Sequence, residues 1–136
     1  RNMDRLIRKW NTAKEMVPAP DLIKDKQKCE YGMIFFGTSQ YATEEAIDLL
    51  KQEGIFMDAL RIKAFPFNNV VEEFINSHEQ VFVIEQNRDA QMKSLLMIEL
   101  SADPNKLVSV LNYDGMPITA DNILKQISKK VLTKQD

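Results

Sequence analysis

Gly32-Met33-Ile34-Phe35-Phe36 is an apolar run with no polar residue inside it, and Gly37-Thr38-Ser39 follows it. A strand with one wet face would alternate; an unbroken run reads as a strand buried on both faces. Beyond Ser39 the period changes. Ala42, Ala46, Ile47, Leu49 and Leu50 fall at helical spacing, and Gly54 marks the expected C-terminal stop. The same alternation then recurs along the chain. Residues 56–62 read as a strand, followed by a helix bearing Val70, Val71, Phe74 and Ile75, with Asn69 as its expected N-cap and Glu72 as capping partner. Val81-Phe82-Val83-Ile84 is again a two-face-buried strand, and Met92, Leu95, Leu96 and Leu100 follow at helical spacing. Residues 107–111 form the fourth strand. The last helix carries Ala120, Ile123, Leu124, Ile127 and Val131, with Thr119 as N-cap and Ile118 and Ile123 placed to staple across it. Four strand–helix alternations with doubly buried strands imply an α/β fold: a three-layer, open, mostly parallel sheet with helices on both faces.

The segment before this pattern is different. Met3, Leu6, Ile7, Trp10, Ala13 and Val17 have helical spacing, with Arg5, Arg8, Lys9 and Lys14 between them. This is an amphipathic arm, expected to lie on the domain or on a neighbouring one; a basic membrane-surface helix is the lesser reading. Pro18 and Pro20 stop the helix, and residues 21–30 are polar and lysine-rich. The organisation is therefore read as residues 1–30, arm and linker, and residues 31–136, the α/β domain.

Composition narrows the function. The chain has 136 residues, 20 acidic side chains against 18 basic ones and a net charge of −2. That balance lacks the basic footprint of a nucleic-acid binder. No apolar run approaches the roughly 18–20 residues of a membrane span. One cysteine, Cys29, excludes an internal disulfide and an iron–sulfur cluster or cysteine zinc site held by this chain alone. A reducing cytoplasm is the expected compartment. No signal peptide is legible, and the start at Arg1 suggests a piece of a larger protein.

Catalytic signatures are largely missing. Four glycines make no phosphate-cradling loop of the dinucleotide or Walker kind. His78, the only histidine, sits in Ser77-His78-Glu79 and reads as a surface turn residue. Gly37-Thr38-Ser39-Gln40-Tyr41 has tyrosine where a nucleophile elbow needs its second glycine, so Thr38 or Ser39 reads as a helix cap. A phosphoreceiver domain needs an acidic pair where Gly37-Thr38-Ser39 stands. Asp114-Gly115 follows Tyr113 rather than glycine and lacks the downstream asparagine of a thiamine-diphosphate motif; Tyr113-Asp114-Gly115-Met116-Pro117 reads as turn chemistry. No catalytic and no metal-ligating residue is assigned.

Val81-Phe82-Val83-Ile84-Glu85-Gln86-Asn87-Arg88-Asp89-Ala90-Gln91-Met92 resembles a segment of the alpha subunit of 2-oxoacid:ferredoxin oxidoreductases, the 2-oxoglutarate type in particular. Arg8-Lys9 with Thr12-Ala13, Gly37-Thr38-Ser39 and Tyr113-Asp114-Gly115-Met116-Pro117-Ile118-Thr119 agree in order and spacing, so the resemblance spans nearly the whole chain. Ala90 stands where the family usually has glycine, and Met116 where arginine is common. The resemblance implies a C-terminal, transketolase C-terminal-domain-like unit, with five strands of which one is an antiparallel edge. Only four strands are legible, which leaves the fifth near residues 22–30 or missing. It further implies a parent enzyme that uses thiamine diphosphate, magnesium, an iron–sulfur cluster and coenzyme A to decarboxylate a 2-oxoacid and reduce ferredoxin. The partners implied are the remainder of the alpha subunit and a thiamine-binding beta subunit, with the chain itself holding no cofactor. The alternatives are a stand-alone α/β binding or subunit-interaction module, and the equivalent domain of another thiamine enzyme. Open α/β sheets bind beyond the carboxyl ends of their strands. Gln86, Asn87, Arg88 and Gln91, just past the third legible strand, are therefore the expected binding or interface residues. The competing reading has Asn87 and Asp89 merely capping the helix.

Overall fold

The structure is a computed structural model that describes residues 2–37, 40–86, 89–112 and 117–135. In chain order the elements are α1 (Asn2–Met16), β1 (Asp21–Ile23), β2 (Tyr31–Phe36), α2 (Gln40–Gln52), β3 (Met57–Ile62), α3 (Asn69–Asn76), β4 (Gln80–Glu85), α4 (Gln91–Leu100), β5 (Leu107–Leu111) and α5 (Ala120–Gln135). They build one five-stranded sheet of order β1-β3-β2-β4-β5. β3, β2, β4 and β5 run parallel, and β1 pairs antiparallel to β3 at the edge. The mostly parallel three-layer sheet expected from the strand–helix alternation is what forms. None of the described helices is long and apolar enough to cross a membrane.

The period-2 geometry of each strand sorts its side chains between two cores. Met33, Phe35, Ala59, Phe82, Ile84 and Val110 point to one face, where α2 and α5 supply Ala46, Leu50, Ile123 and Ile127. Ile34, Leu60, Val81, Val83 and Leu107 point to the other, covered by Val71, Phe74 and Ile75 of α3 and Leu96 of α4. Both faces are dry, which is why the strands read as unbroken apolar runs. α2 ends in paired turn hydrogen bonds from Gly54 N–H to the Lys51 carbonyl and from Ile55 N–H to the Leu50 carbonyl. Gly54 has φ +82°, the left-handed conformation that favours glycine there.

Three local expectations change. The fifth strand, left near residues 22–30 or missing, is the antiparallel edge strand Asp21–Ile23, inside the stretch read as polar linker. Its register, Asp21 opposite Arg61 and Ile23 opposite Ala59, comes from pairing with β3 rather than from its own pattern. Asn68, not Asn69, caps α3: its backbone is extended and its side chain accepts the Val70 N–H at 2.9 Å. With Asn68 as the cap, Glu72 stands four residues on, one too far to close a capping box.

His78, expected in a surface turn, is buried. Its Nε2 lies 2.8 Å from Asp58 Oδ2 and its Nδ1 donates to the Phe74 carbonyl at 2.7 Å. The room for it comes from Gly32, which sits directly beside Asp58 in the sheet. A Cβ built on Gly32 would stand 2.8 Å from Phe74 Cε1 and 3.2 Å from His78 Cγ. Asp58 Oδ1 also accepts the Asp25 N–H at 2.9 Å, tying the segment after β1 to the same point.

α1 touches the rest of the fold lightly. Trp10 meets Phe65 edge-on at 5.4 Å, and Phe65 meets the buried Phe67 at 5.4 Å. Met3, Leu6 and Ile7 remain more than half exposed. Thr119 caps α5 as expected, accepting the Asn122 N–H, with Ile118 and Ile123 both buried.

Gly32→Ala is expected to lower the unfolding free energy by about 1–3 kcal/mol, the usual cost of overpacking a closed core. Urea denaturation measures it; an unchanged midpoint would mean that the Phe74 and His78 rings can move aside.

Candidate functional site at the carboxyl edge of the sheet

The four parallel strands open at one edge into the segments after β2, β4 and β5. Gly37, at φ +67°, turns the chain out of β2. At the end of β4, Glu85 is buried at 1% exposure although it is a carboxylate. Its side chain accepts the N–H groups of Met92 at 2.5 Å and Lys93 at 3.2 Å, two of the amides left without partners at the start of α4. A charge at that position also complements the helix dipole. The Glu85 carbonyl accepts the Asn112 N–H at 2.9 Å, which joins the exit of β5 to the same residue. Ala90, immediately before α4, has φ 50° and contributes no side-chain cap.

This geometry places the expected site residues. Gln86 and Gln91 are both exposed at this edge, at the two ends of a loop whose base is closed by Glu85. Asn87 and Arg88 lie outside the described residues, as do Thr38, Ser39 and residues 113–116. The structure therefore brings Gln86 and Gln91 to one edge, and the capping of α4 falls to Glu85. Sequence reading passed over Glu85 because it stands first in the polar stretch that follows the apolar run Val81 to Ile84. The signal was there: a carboxylate ending a doubly buried strand needs internal hydrogen bonds.

β5 is an edge strand, and α5 covers part of its rim. Gln126 Nε2 donates to the Leu111 carbonyl at 3.1 Å, and Lys130 Nζ donates to the Ser109 carbonyl. Burial, with Lys93 adding, lowers the Lys130 pKa from the usual lysine range. These contacts occupy outward-facing acceptors that would otherwise invite another strand.

At the opposite, amino edge, Cys29 is buried beside Asp58. Burial pushes its thiol up to about 11, and the carboxylates of Asp58 and Asp25 add to that. This is the reverse of an activated thiolate. Among the described residues, no group of three or more histidine, cysteine, aspartate or glutamate side chains is arranged to hold a metal ion. Asp114 and Gly115 lie outside the described residues, and no reaction step is assigned to the residues described.

Glu85→Ala should destabilise the fold by about 1–3 kcal/mol, because it leaves buried amides of α4 unpaired. Loss of hydrogen-exchange protection at Met92 and Lys93 is the direct readout; unchanged protection would show another cap. Cys29 should react with a thiolate-directed reagent at neutral pH about a hundredfold more slowly than a free thiol. Its raised folded pKa keeps its share of stability intact below pH 9.0 and removes it as pH climbs through about 11. Cys29→Ala should flatten that alkaline limb of a pH–stability curve.

No family model matches the chain, and no curated protein matches it. Solved structures do. A 2-oxoglutarate:ferredoxin oxidoreductase from Magnetococcus marinus, with 2-oxoglutarate, coenzyme A and succinyl-CoA bound, superposes with a TM-score of 0.77 at 20% identity, over 89% of this chain. The chain spans only 21% of that one. The alpha chain of a probable 2-oxoacid ferredoxin oxidoreductase from Thermoplasma acidophilum gives a TM-score of 0.53 at 29% identity, over 85% of this chain and 97% of that one. A split-gene transketolase, as an inactive beta4 tetramer, gives 0.63 at 18% identity, over 80% of this chain and 40% of that one. The first and third comparisons speak for the transketolase-like fold, while the second adds sequence likeness over almost an entire alpha chain. The resemblance carried by the sequence is thus borne out: the chain is similar to the alpha subunit of 2-oxoacid:ferredoxin oxidoreductases, built on a transketolase-like fold.

Proposed function

We propose that this chain is the transketolase C-terminal-like domain of the alpha subunit of a thiamine-diphosphate-dependent 2-oxoacid:ferredoxin oxidoreductase, with 2-oxoglutarate as the favoured substrate. The parent enzyme would oxidatively decarboxylate the 2-oxoacid, pass electrons through an iron–sulfur cluster to ferredoxin and release an acyl-CoA in the cytoplasm. The observation that supports this most is the likeness to the Thermoplasma alpha chain over 97% of that chain at 29% identity. In this reading thiamine diphosphate, magnesium and the cluster reside on other domains or subunits. This chain supplies a binding and assembly surface and no catalytic group.

The surface proposed is the carboxyl edge of the sheet, with Gln86, Asn87, Arg88 and Gln91 facing the thiamine-binding beta subunit or its bound substrates. Arginine carries a planar fork of donors suited to a carboxylate or phosphate, and the amide side chains both donate and accept. Glu85 is the positioning residue of this edge, since it ties the start of α4 to the end of β4 and the exit of β5.

The test is reconstitution with the thiamine-binding subunit and ferredoxin. Arg88→Ala and Asn87→Ala should each lower 2-oxoacid- and coenzyme-A-dependent ferredoxin reduction, or subunit affinity, by about tenfold or more, the scale seen when one partner of a hydrogen-bonded charge pair is truncated. The melting temperature of the chain should move little. Normal assembly and turnover of both variants would leave this loop structural.

A further inference from the structure

α1 carries an apolar stripe that the fold does not cover. Met3 is 67% exposed, Leu6 61% and Ile7 52%, and only Trp10 has a described ring contact, with Phe65. Arg5 and Lys9, one turn apart, lie beside the stripe. Residues 1–16 hold five basic side chains against two acidic ones, while the rest of the chain holds eighteen acidic against thirteen basic. A basic, apolar helix is thus carried by an acidic body.

The acidic body has a groove to match. Between α3 and the segment joining α4 to β5 lies a hollow of about 650 Å³. Leu100 and the nearly buried Ile75 line it among polar residues, and the exposed carboxylates of Glu72, Glu79 and Asp103 line it together with Lys106, so acidic groups outnumber basic ones there. That volume is enough for several aliphatic side chains. α1 cannot reach this groove in its own molecule. Trp10 holds it at Phe65, past the carboxyl end of β3, whereas the groove includes Gln80, the first residue of β4. The strands are parallel, so the two surfaces occupy opposite edges of one sheet.

We propose that α1 of one copy docks, through Leu6 and Ile7, into the α3–α4 groove of a second copy, with Arg5 and Lys9 set against its carboxylates. α1 pairing with α1 would instead bring like charges together. The contact is heterologous, helix of one molecule to groove of the next, and it stands independently of the proposed enzyme role.

The heterologous geometry makes a sharp test by sedimentation velocity of the whole chain. The wild type should associate with rising concentration, and added salt should weaken it. Leu6→Asp with Ile7→Asp should be monomeric, and so should Glu72→Lys with Asp103→Lys. An equimolar mixture of these two variants should form a one-to-one pair, because one intact helix and one intact groove remain. All four positions are at the surface, so circular dichroism and melting should match the wild type. As a second α1 variant, Arg5→Glu with Lys9→Glu should lose self-association and regain pairing when mixed with the lysine-substituted groove. A wild type that stays monomeric, a groove variant that still associates, or a mixture that stays monomeric overturns the proposal. So does a monomer that binds phosphatidylglycerol vesicles through α1, which would assign the stripe to a membrane surface.

Discussion

One buried carboxylate organises the edge on which the functional reading rests. Glu85 ends a strand with no wet face, so its charge has no water to solvate it. The amides at the start of α4 meet the same difficulty from the other side, because a helix leaves its first N–H groups unpaired. Placing the two together removes both costs, and the Asn112 N–H on the Glu85 carbonyl adds the exit of β5. Two of the strand exits are thereby held in a fixed relation. Gln86 and Gln91 flank this base, and both are exposed.

The amino edge is held by a second polar contact of the same kind. Asp58 and His78 are both buried, and each satisfies the other at 2.8 Å. Asp58 also receives the Asp25 N–H, and His78 donates to the end of α3. Edge strand, central strand and helix thus converge on one pair, and the missing side chain of Gly32 makes the space. Removing either partner would leave one buried polar atom of the other, Asp58 Oδ2 or His78 Nε2, without this contact. The two edges differ in what they show: the amino edge buries Cys29, whose thiol burial pushes up to about 11, and at the carboxyl edge Gln86 and Gln91 are exposed.

The long-range contacts are what the sequence could not disclose. The four parallel strands and their helices were legible because burial on both faces leaves an unmistakable apolar run, and helical spacing then takes over. β1 was not, since Asp21-Leu22-Ile23 is short, largely exposed and strand-like only by pairing with Arg61, Leu60 and Ala59. His78 looked like a turn residue because its burial depends on Gly32, far back in the chain, and on Asp58. Asn68 and Asn69 are adjacent and chemically identical, so periodicity had no means of choosing between them; backbone conformation did. At the candidate site, Gln86 and Gln91 were legible from their place after a strand, whereas Glu85 was not read as the cap that positions them.

Under the proposed function, the carboxyl edge around Glu85 faces the thiamine-binding subunit. Hydrogen–deuterium exchange of the chain, free and then mixed with that subunit, tests it most directly. Added protection concentrated over residues 85–92 and the exits of β2 and β5 is the result expected. Protection confined to the amino edge around residues 76–80 and 101–106, or none at all, would contradict it.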